Sequence, residues 1–249
     1  MTPAIQKRPT FVENAGDLLR LAGPLMLGQV AVVGMTVTDI YMAGQVSSET
    51  LAALQLGGSI WAMINLLVIG IMIGNSPIIG NFWGAGEKHR VRFQFQQAMW
   101  LALPMGVAVC GGLLLGIMLL GQLDISPEVY RIARGYLMPY LITGFMFPAF
   151  FAFRSTFEGV GDIRPVMVFN FLAFFLNGIL DYILVFGKLG FPAMGGIGAA
   201  WATTVVMTFL LVAMTAYGRN ASNMKPLQLY HQFAGPSAAA IKDILRLGI

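Results

Sequence analysis

Residues Phe169–Gly187 read FNFLAFFLNGILDYILVFG. The stretch is long enough and apolar enough to cross a bilayer as one helix. Three polar side chains interrupt it: Asn170, Asn177 and Asp181. Asn177 and Asp181 are four residues apart and Asn170 lies seven before Asn177, so a helix stacks all three on one face. A carboxylate in the middle of a transmembrane helix costs about 2.5–3.5 kcal/mol even on lenient insertion scales, which makes an ionisable residue there a functional candidate.

The rest of the chain fits a membrane setting. Of its 249 residues 57% are hydrophobic and only 10% charged, against roughly 25% charged in soluble proteins. The net charge of +4 is not organised as a basic stripe with interleaved aromatics, which argues against nucleic acid as a partner. The single Cys110 sits in an apolar run, so neither a disulfide framework nor a thiolate metal site can be built. The opening MTPAIQKRPTFVENAGD has no apolar core of a cleavable leader. The expected class is an all-α integral membrane protein in contact with the lipid bilayer.

Six apolar segments follow one another: Leu18–Ala43, Leu51–Ile79, Ala98–Leu120, Tyr136–Phe153, Pro165–Phe186 and Gly195–Ala216. Each is near the ~20 residues a helix needs to span, the fourth being the shortest. The longer connections are Gly84–Gln97, Gly121–Gly135 and the tail after Tyr217, where a charged helix begins near Ser237. Lys7, Arg8 and Arg20, then Lys88, Arg90 and Arg92, then Arg154 and Arg164, then Arg219, Lys225, Lys242 and Arg246 all fall on one side of such a bundle. Only Arg131, Arg134 and Lys188 fall on the other. The positive-inside rule then places both termini in the cytoplasm.

With that topology three oxygen-bearing residues reach similar depth. Asp39 lies five residues before Gly44, Asp181 six before Gly187 and Thr203 eight after Gly195. At 1.5 Å per residue these offsets are about 7, 9 and 12 Å from the outer ends of helices one, five and six. Pro24, inside the first helix, removes a backbone hydrogen bond and should permit a bend. Gly70/Gly74 and Gly112/Gly116 have the spacing that lets helices approach closely. Asp17-Leu-Leu-Arg-Leu-Ala-Gly-Pro at the first helix is echoed by Asp243-Ile-Leu-Arg-Leu-Gly-Ile. The echo suggests paired bundles related by an internal repeat. The expected division is 1–17 as a cytoplasmic N-terminus, 18–216 as a six-helix lobe, and 217–249 as a linker leading into a truncated second lobe.

Several stretches together resemble the N-terminal half of a multidrug and toxic compound extrusion (MATE) transporter of the NorM/DinF-like kind. They are Ala22-Gly-Pro-Leu with Thr38-Asp-Ile-Tyr-Met-Ala-Gly44, Pro77-Ile-Ile-Gly with Gly84-Ala-Gly86, Arg154 with Glu158-Gly-Val-Gly-Asp-Ile-Arg-Pro165, Asn177-Gly-Ile-Leu-Asp-Tyr-Ile-Leu-Val-Phe-Gly187, and Gly198-Ala-Ala-Trp-Ala-Thr203. The resemblance implies one six-helix lobe of a two-lobe, twelve-helix fold in a bacterial inner membrane. It implies a cation-coupled antiporter that exports amphipathic, often cationic, drugs and uses no organic cofactor. By match, the coupling residues are Asp39, Asn177, Asp181 and Thr203, with H⁺ or Na⁺ as the coupling ion. An aspartate at 181 departs from the asparagine of many NorM-type members, which leaves the ion open. A C-terminal lobe or a second copy of the chain is the implied partner.

Two carboxylates close together in low dielectric cannot both ionise cheaply, so such a pair holds one proton or surrounds a cation. Carboxylate, amide and hydroxyl oxygens suit a hard ion such as Na⁺, with Asn177 and Thr203 as neutral ligands. Asn177 and Asp181 could instead only bridge helices, and Thr203 could bond its own i−4 carbonyl. Asn170, Asn65 and Gln29 are candidates for lining a substrate cavity. Most of the sixteen methionines are read as core or lipid-facing residues, and His89 and His231 as solvated loop residues. Gly159-Val-Gly-Asp162 spells the GxGD of intramembrane aspartyl proteases. Asp162, however, falls between Glu158 and Arg164 in a charged loop, where a capping role is expected, so an enzyme is not. A lipid flippase of a related superfamily would carry several cationic residues in its cavity, whereas the basic residues here fall in loops and at helix ends. A lobe that folds but transports nothing is the remaining alternative.

Overall fold

The computed structural model describes the backbone of residues 11–248 and the side chains of residues 22–248. Lys7 and Arg8, and the side chain of Arg20, lie outside the described residues. The chain forms nine α-helices among them: α1 (Phe11–Val46), α2 (Ser48–Ile73), α3 (Asn75–Gly84), α4 (Lys88–Leu120), α5 (Pro127–Leu137), α6 (Tyr140–Gly159), α7 (Arg164–Phe186), α8 (Gly196–Asn220) and α9 (Ala238–Gly248). By length and apolarity these provide six candidate membrane spans. The second is α2 continued by α3 after a break at Gly74, and the fourth is α5 continued by α6 after a break at Met138–Pro139.

Local chemistry sets the boundaries. Ser47 caps α2, its Oγ accepting from Thr50 N at 3.0 Å. Ser126 caps α5 and Pro127 opens it, where a missing N–H is harmless. Gly187 closes α7 at φ 66°, a left-handed position that suits glycine. α1 runs unbroken through Pro24.

Two boundaries differ from expectation. The fourth span covers Pro127–Gly159, 33 residues instead of the short segment Tyr136–Phe153. Its first piece is strongly amphipathic: Arg131 and Arg134 are exposed while Ile132, Ala133, Tyr136 and Leu137 are buried, so average hydropathy hides it. The third span starts at Lys88, not Ala98, and places His89 on a helix where a loop was expected. Its early turns read as polar because Gln94, Gln96 and Gln97 are buried there as hydrogen-bonding groups.

α7 is packed between α1 and α8, α6 between α4 and α8, and α5 lies on α2. Small residues allow these approaches. A Cβ on Gly34 would meet the Phe174 ring at 2.8 Å, and one on Gly116 would meet Ile60 Cγ2 at 2.7 Å. Gly70 and Gly74 face α9, whose Ile244 is fully buried. The tail before α9 is strapped across α4. Gln96 Nε2 donates to Leu229 O at 3.1 Å and His231 O at 3.2 Å. Gln97 Nε2 donates to Gly235 O at 3.0 Å while its Oε1 accepts from Ser237 N at 2.6 Å. Trp100 Nε1 donates to Ala234 O at 2.8 Å.

Candidate functional site

α1, α7 and α8 bring the four suspected ligands together. Asp39 projects from the last third of α1, and Asn177 and Asp181 from successive turns of α7. Thr203 lies on the second turn of α8. The Asp39 carboxyl lies within interaction reach of Asp181, Asn177 and Thr203. Asp181 is fully buried and Asn177 is 1% exposed, while Asp39 and Thr203 are partly buried. Asp39 Oδ1, Asn177 Oδ1 and both carboxyl oxygens of Asp181 are buried without a hydrogen-bond partner among the described residues. Buried polar atoms are nearly always paired, and unpaired ones need an explanation. Here the oxygens are neighbours of one another, an arrangement that repels when empty and suits a cation or a shared proton.

Thr203 Oγ1 donates to Ala199 O at 3.1 Å, the local back-bond that its sequence allowed. That bond uses the hydroxyl proton and leaves the oxygen lone pairs available. Tyr136 and Tyr140 stand beside the acids, their hydroxyls 2.9 Å apart. Next to them Thr143 Oγ1 lies 2.9 Å from Thr204 Oγ1.

The cluster borders a cavity of about 700 Å³ inside the bundle. Asp39, Asn177 and Thr203 line it, and so do Asn170, Asn65 and Gln29. Asp181 is not among its lining residues, so Asp39 is the cavity-side acid and Asp181 the buried one. Asn65 Oδ1 is another buried atom without a partner among the described residues. The walls are aromatic as well as polar. Trp61 packs on Tyr140 and Phe147, with ring centroids 4.7 and 5.4 Å away. Two methionines, Met35 and Met207, join the lining.

Several basic residues expected in loops lie on helices instead: Lys88, Arg90 and Arg92 on α4, Arg131 and Arg134 on α5, and Arg154 on α6. Arg154 is not a loop residue but lines the cavity from α6, its Nε donating to Glu158 Oε1 at 2.7 Å. The i,i+4 spacing of the two charges was the available signal. It was obscured because α6 extends to Gly159, past the apolar stretch. Tyr136 and Tyr140 lie within the expected fourth segment but were not singled out; their i,i+4 spacing, which brings the two hydroxyls together, was the available signal.

Asp162 has a structural position. Its Oδ2 accepts from Tyr217 OH at 2.9 Å and from the Asn223 amide, tying the α6–α7 turn to the tail. It stands nineteen residues before Asp181, at the opposite end of α7, about 28 Å away along the helix. Two aspartates so placed cannot activate one water.

The MatE family model matches residues 24–183. The chain belongs to the MATE family. This lobe is 31% identical over 241 residues to the multidrug resistance protein NorM of Vibrio vulnificus, covering 96% of the chain and 52% of that relative. It is 31% identical over 242 residues to the multidrug resistance protein MdtK of Photorhabdus laumondii, again covering 96% and 52%. A crystal structure of MATE in complex with MaL6 superposes with a TM-score of 0.83 at 27% identity, covering 93% of the chain and 50% of that one. The chain thus spans about half the length of the curated relatives it matches, and it corresponds to the N-terminal half of a MATE transporter. The family consists of membrane transporters, not enzymes, and the six-span helical bundle is half of the MATE fold.

Proposed function

We propose that this chain is the cation-coupling lobe of an antiporter that exports amphipathic, often cationic, drugs by alternating access. Asp39 and Asp181 hold the coupling ion, H⁺ or Na⁺, with Asn177 and Thr203 as neutral ligands. The single observation that carries this reading is the set of buried, mutually facing oxygens without hydrogen-bond partners on α1 and α7. Without a cation or proton those atoms forfeit their hydration and gain repulsion. The adjoining cavity supplies a substrate space of aromatic walls with a few polar groups, Asn170, Asn65 and Gln29 among them. Relatives named for multidrug resistance support a drug as the cargo.

The same reading places the chain in a bacterial inner membrane with both termini cytoplasmic, following its arginine and lysine bias. It makes residues 217–249 a linker and the start of a second lobe, so that alternating access uses a C-terminal lobe or a second copy. Arg154, paired with Glu158, is the one cation among the described residues lining the cavity. A flippase for polyanionic lipid carriers would need several.

The test is thermal stability of the purified chain in detergent, titrated with Na⁺ against K⁺ at two pH values, for the wild type and Asp181→Asn. A ligand of the folded state raises stability by RT ln(1 + [L]/Kd). A Na⁺-specific rise lost in the variant assigns Na⁺, and a pH response lost in the variant assigns H⁺. Equal behaviour of both proteins under all conditions refutes the site.

A further inference from the structure

A second concavity lies on the outer surface of the bundle, on the other side of the wall that carries Asp39 and Asn177. It is a groove of about 830 Å³ between α1 and α7, bordered by Phe174, Phe175, Gly178, Ile179, Tyr182 and, at one end, Lys188. Thr38 contributes from α1, but its hydroxyl already donates to Gly34 O at 2.9 Å. The floor is therefore apolar. Gly34 and Phe174 bring α1 and α7 into contact, and the groove opens one turn beyond, where a Cβ on Gly178 would have no atom within 4 Å.

We infer that this groove holds one acyl chain of an anionic phospholipid, with the lipid phosphate on Lys188. Four observations support it. From Phe174 the groove follows α7 to its end at Phe186, twelve residue rises or about 18 Å of helix, and Lys188 lies just beyond. That length accommodates the ~15 Å hydrocarbon depth of one leaflet, half of a ~30 Å core, and reaches its headgroup level. Lys188 is exposed and has no ion-pair partner among the described residues, whereas Arg131, on the same end of the bundle, is held by Glu128 at 2.6 Å. A lysine beyond the end of a spanning helix sits where an ammonium meets phosphate. Tyr182, one of the groove residues, is half-exposed near the same end of α7, an amphipathic ring of the kind found at membrane interfaces. Finally, Leu189 adopts φ 54°, a left-handed conformation unfavourable for leucine, and is 82% exposed at the groove's mouth. Such strain persists where surrounding structure imposes it, often at ligand clamps.

The occupant is distinct from ordinary boundary lipid because it needs both a charge and a groove. The test uses the purified chain in a non-ionic detergent, with native mass spectrometry and thermal stability as readouts. Phosphatidylglycerol, phosphatidylcholine of identical chains, and glycerol phosphate alone are added to the wild type, Lys188→Gln and Gly178→Leu. Gly178→Leu fills the groove without meeting a neighbour at Cβ. One phosphatidylglycerol should be retained per wild-type chain. Lys188→Gln should weaken it about fivefold, the worth of one basic residue at a membrane surface, without changing phosphatidylcholine. Gly178→Leu should abolish retention of both lipids, and glycerol phosphate should not stabilise any form. Equal retention of the two lipids by all three proteins overturns the site, as does stabilisation by glycerol phosphate alone. A dimer that Gly178→Leu dissolves would assign the groove to a second copy instead. Should Gly178→Leu fail to fold, the comparison of the two lipids on Lys188→Gln decides by itself.

Discussion

The tail strap is the feature whose disruption can be calculated from the structure. Gln97 is fully buried and its amide makes two hydrogen bonds to the backbone of 235–237. Gln97→Leu keeps a side chain of similar size, so no large cavity forms, but it leaves Gly235 O and Ser237 N without their partners. A buried group deprived of its partner costs about 1–3 kcal/mol. The tail is partly exposed, so water recovers some of this, and about 2–4 kcal/mol is the expected loss for detaching the strap. At about 1.4 kcal/mol per tenfold, the opening equilibrium rises by ~30-fold to ~1,000-fold. The assay is hydrogen exchange followed at residues 229–237. The amide of Ala234 is the informative probe, because its own bond to Gln96 Oε1 at 2.9 Å survives the substitution. Accelerated exchange there reports cooperative release of the strap, not the loss of one bond. Exchange at Ala234 within about threefold of wild type would refute the reasoning, since it would mean that Gln96 and Trp100 hold the strap without Gln97. Release should also loosen α9, whose backbone at Ile244 and Gly248 lies close against Gly74, where α2 gives way to α3.

Gly116→Ala should destabilise the chain by about 1–3 kcal/mol, the usual cost of overpacking, because its Cβ would sit 2.7 Å from Ile60 Cγ2. Adding Ile60→Ala should restore part of the loss, measured as the melting temperature in detergent. Thr203→Val should cost the fold less than about 1 kcal/mol, yet weaken the response to the coupling ion, whereas Thr203→Ser should retain it; parallel cation titrations of melting temperature separate the two. Asp162→Ala should increase proteolysis of the tail near Asn223 while leaving the cation response intact, and loss of that response would contradict its placement at the far end of α7.

Where the sequence was legible, a single physical rule was enough. The polar face of α7 could be read from spacing alone, because a helix fixes which residues align and the membrane makes every polar residue conspicuous. The meeting of Asp39 with that face was suggested by depth, since two helices ending at the same boundary place equal offsets at equal heights. Depth does not determine rotation, however, and only the contact of α1 with α7 turns Asp39 inward. The split fourth span was hidden for the opposite reason. α5 buries a narrow stripe containing Tyr136 and exposes its arginines, so average hydropathy reads it as loop. Gln96 and Gln97 of α4 were illegible because their partners are backbone groups some 130–140 residues away, and no local pattern encodes them.

The uneven packing of the bundle gives the candidate site a mechanical consequence. In the span formed by α5 and α6, 67% of the most apolar window is buried within the protein, against 11% in α1. Displacing α6 would break an aromatic core that includes Phe147, Phe150, Phe151 and Phe153; displacing α1 would break chiefly its seam with α7. That seam contains Gly28 and Gly34, small residues that let one helix slide on the other, and α1 lacks one hydrogen bond at Pro24. Of the six candidate spans the one with the smallest buried share is thus the one that carries Asp39, and the acid it confronts, Asp181, sits on a helix packed on both sides. On the proposed reading, a cation between the two carboxyls converts repulsion into attraction and draws α1 toward α7. Because Asp39 also lines the cavity, that movement changes the shape of the drug space. On that reading coupling requires no long pathway: one side chain belongs to both the ion site and the cavity wall, on the span with the smallest buried share.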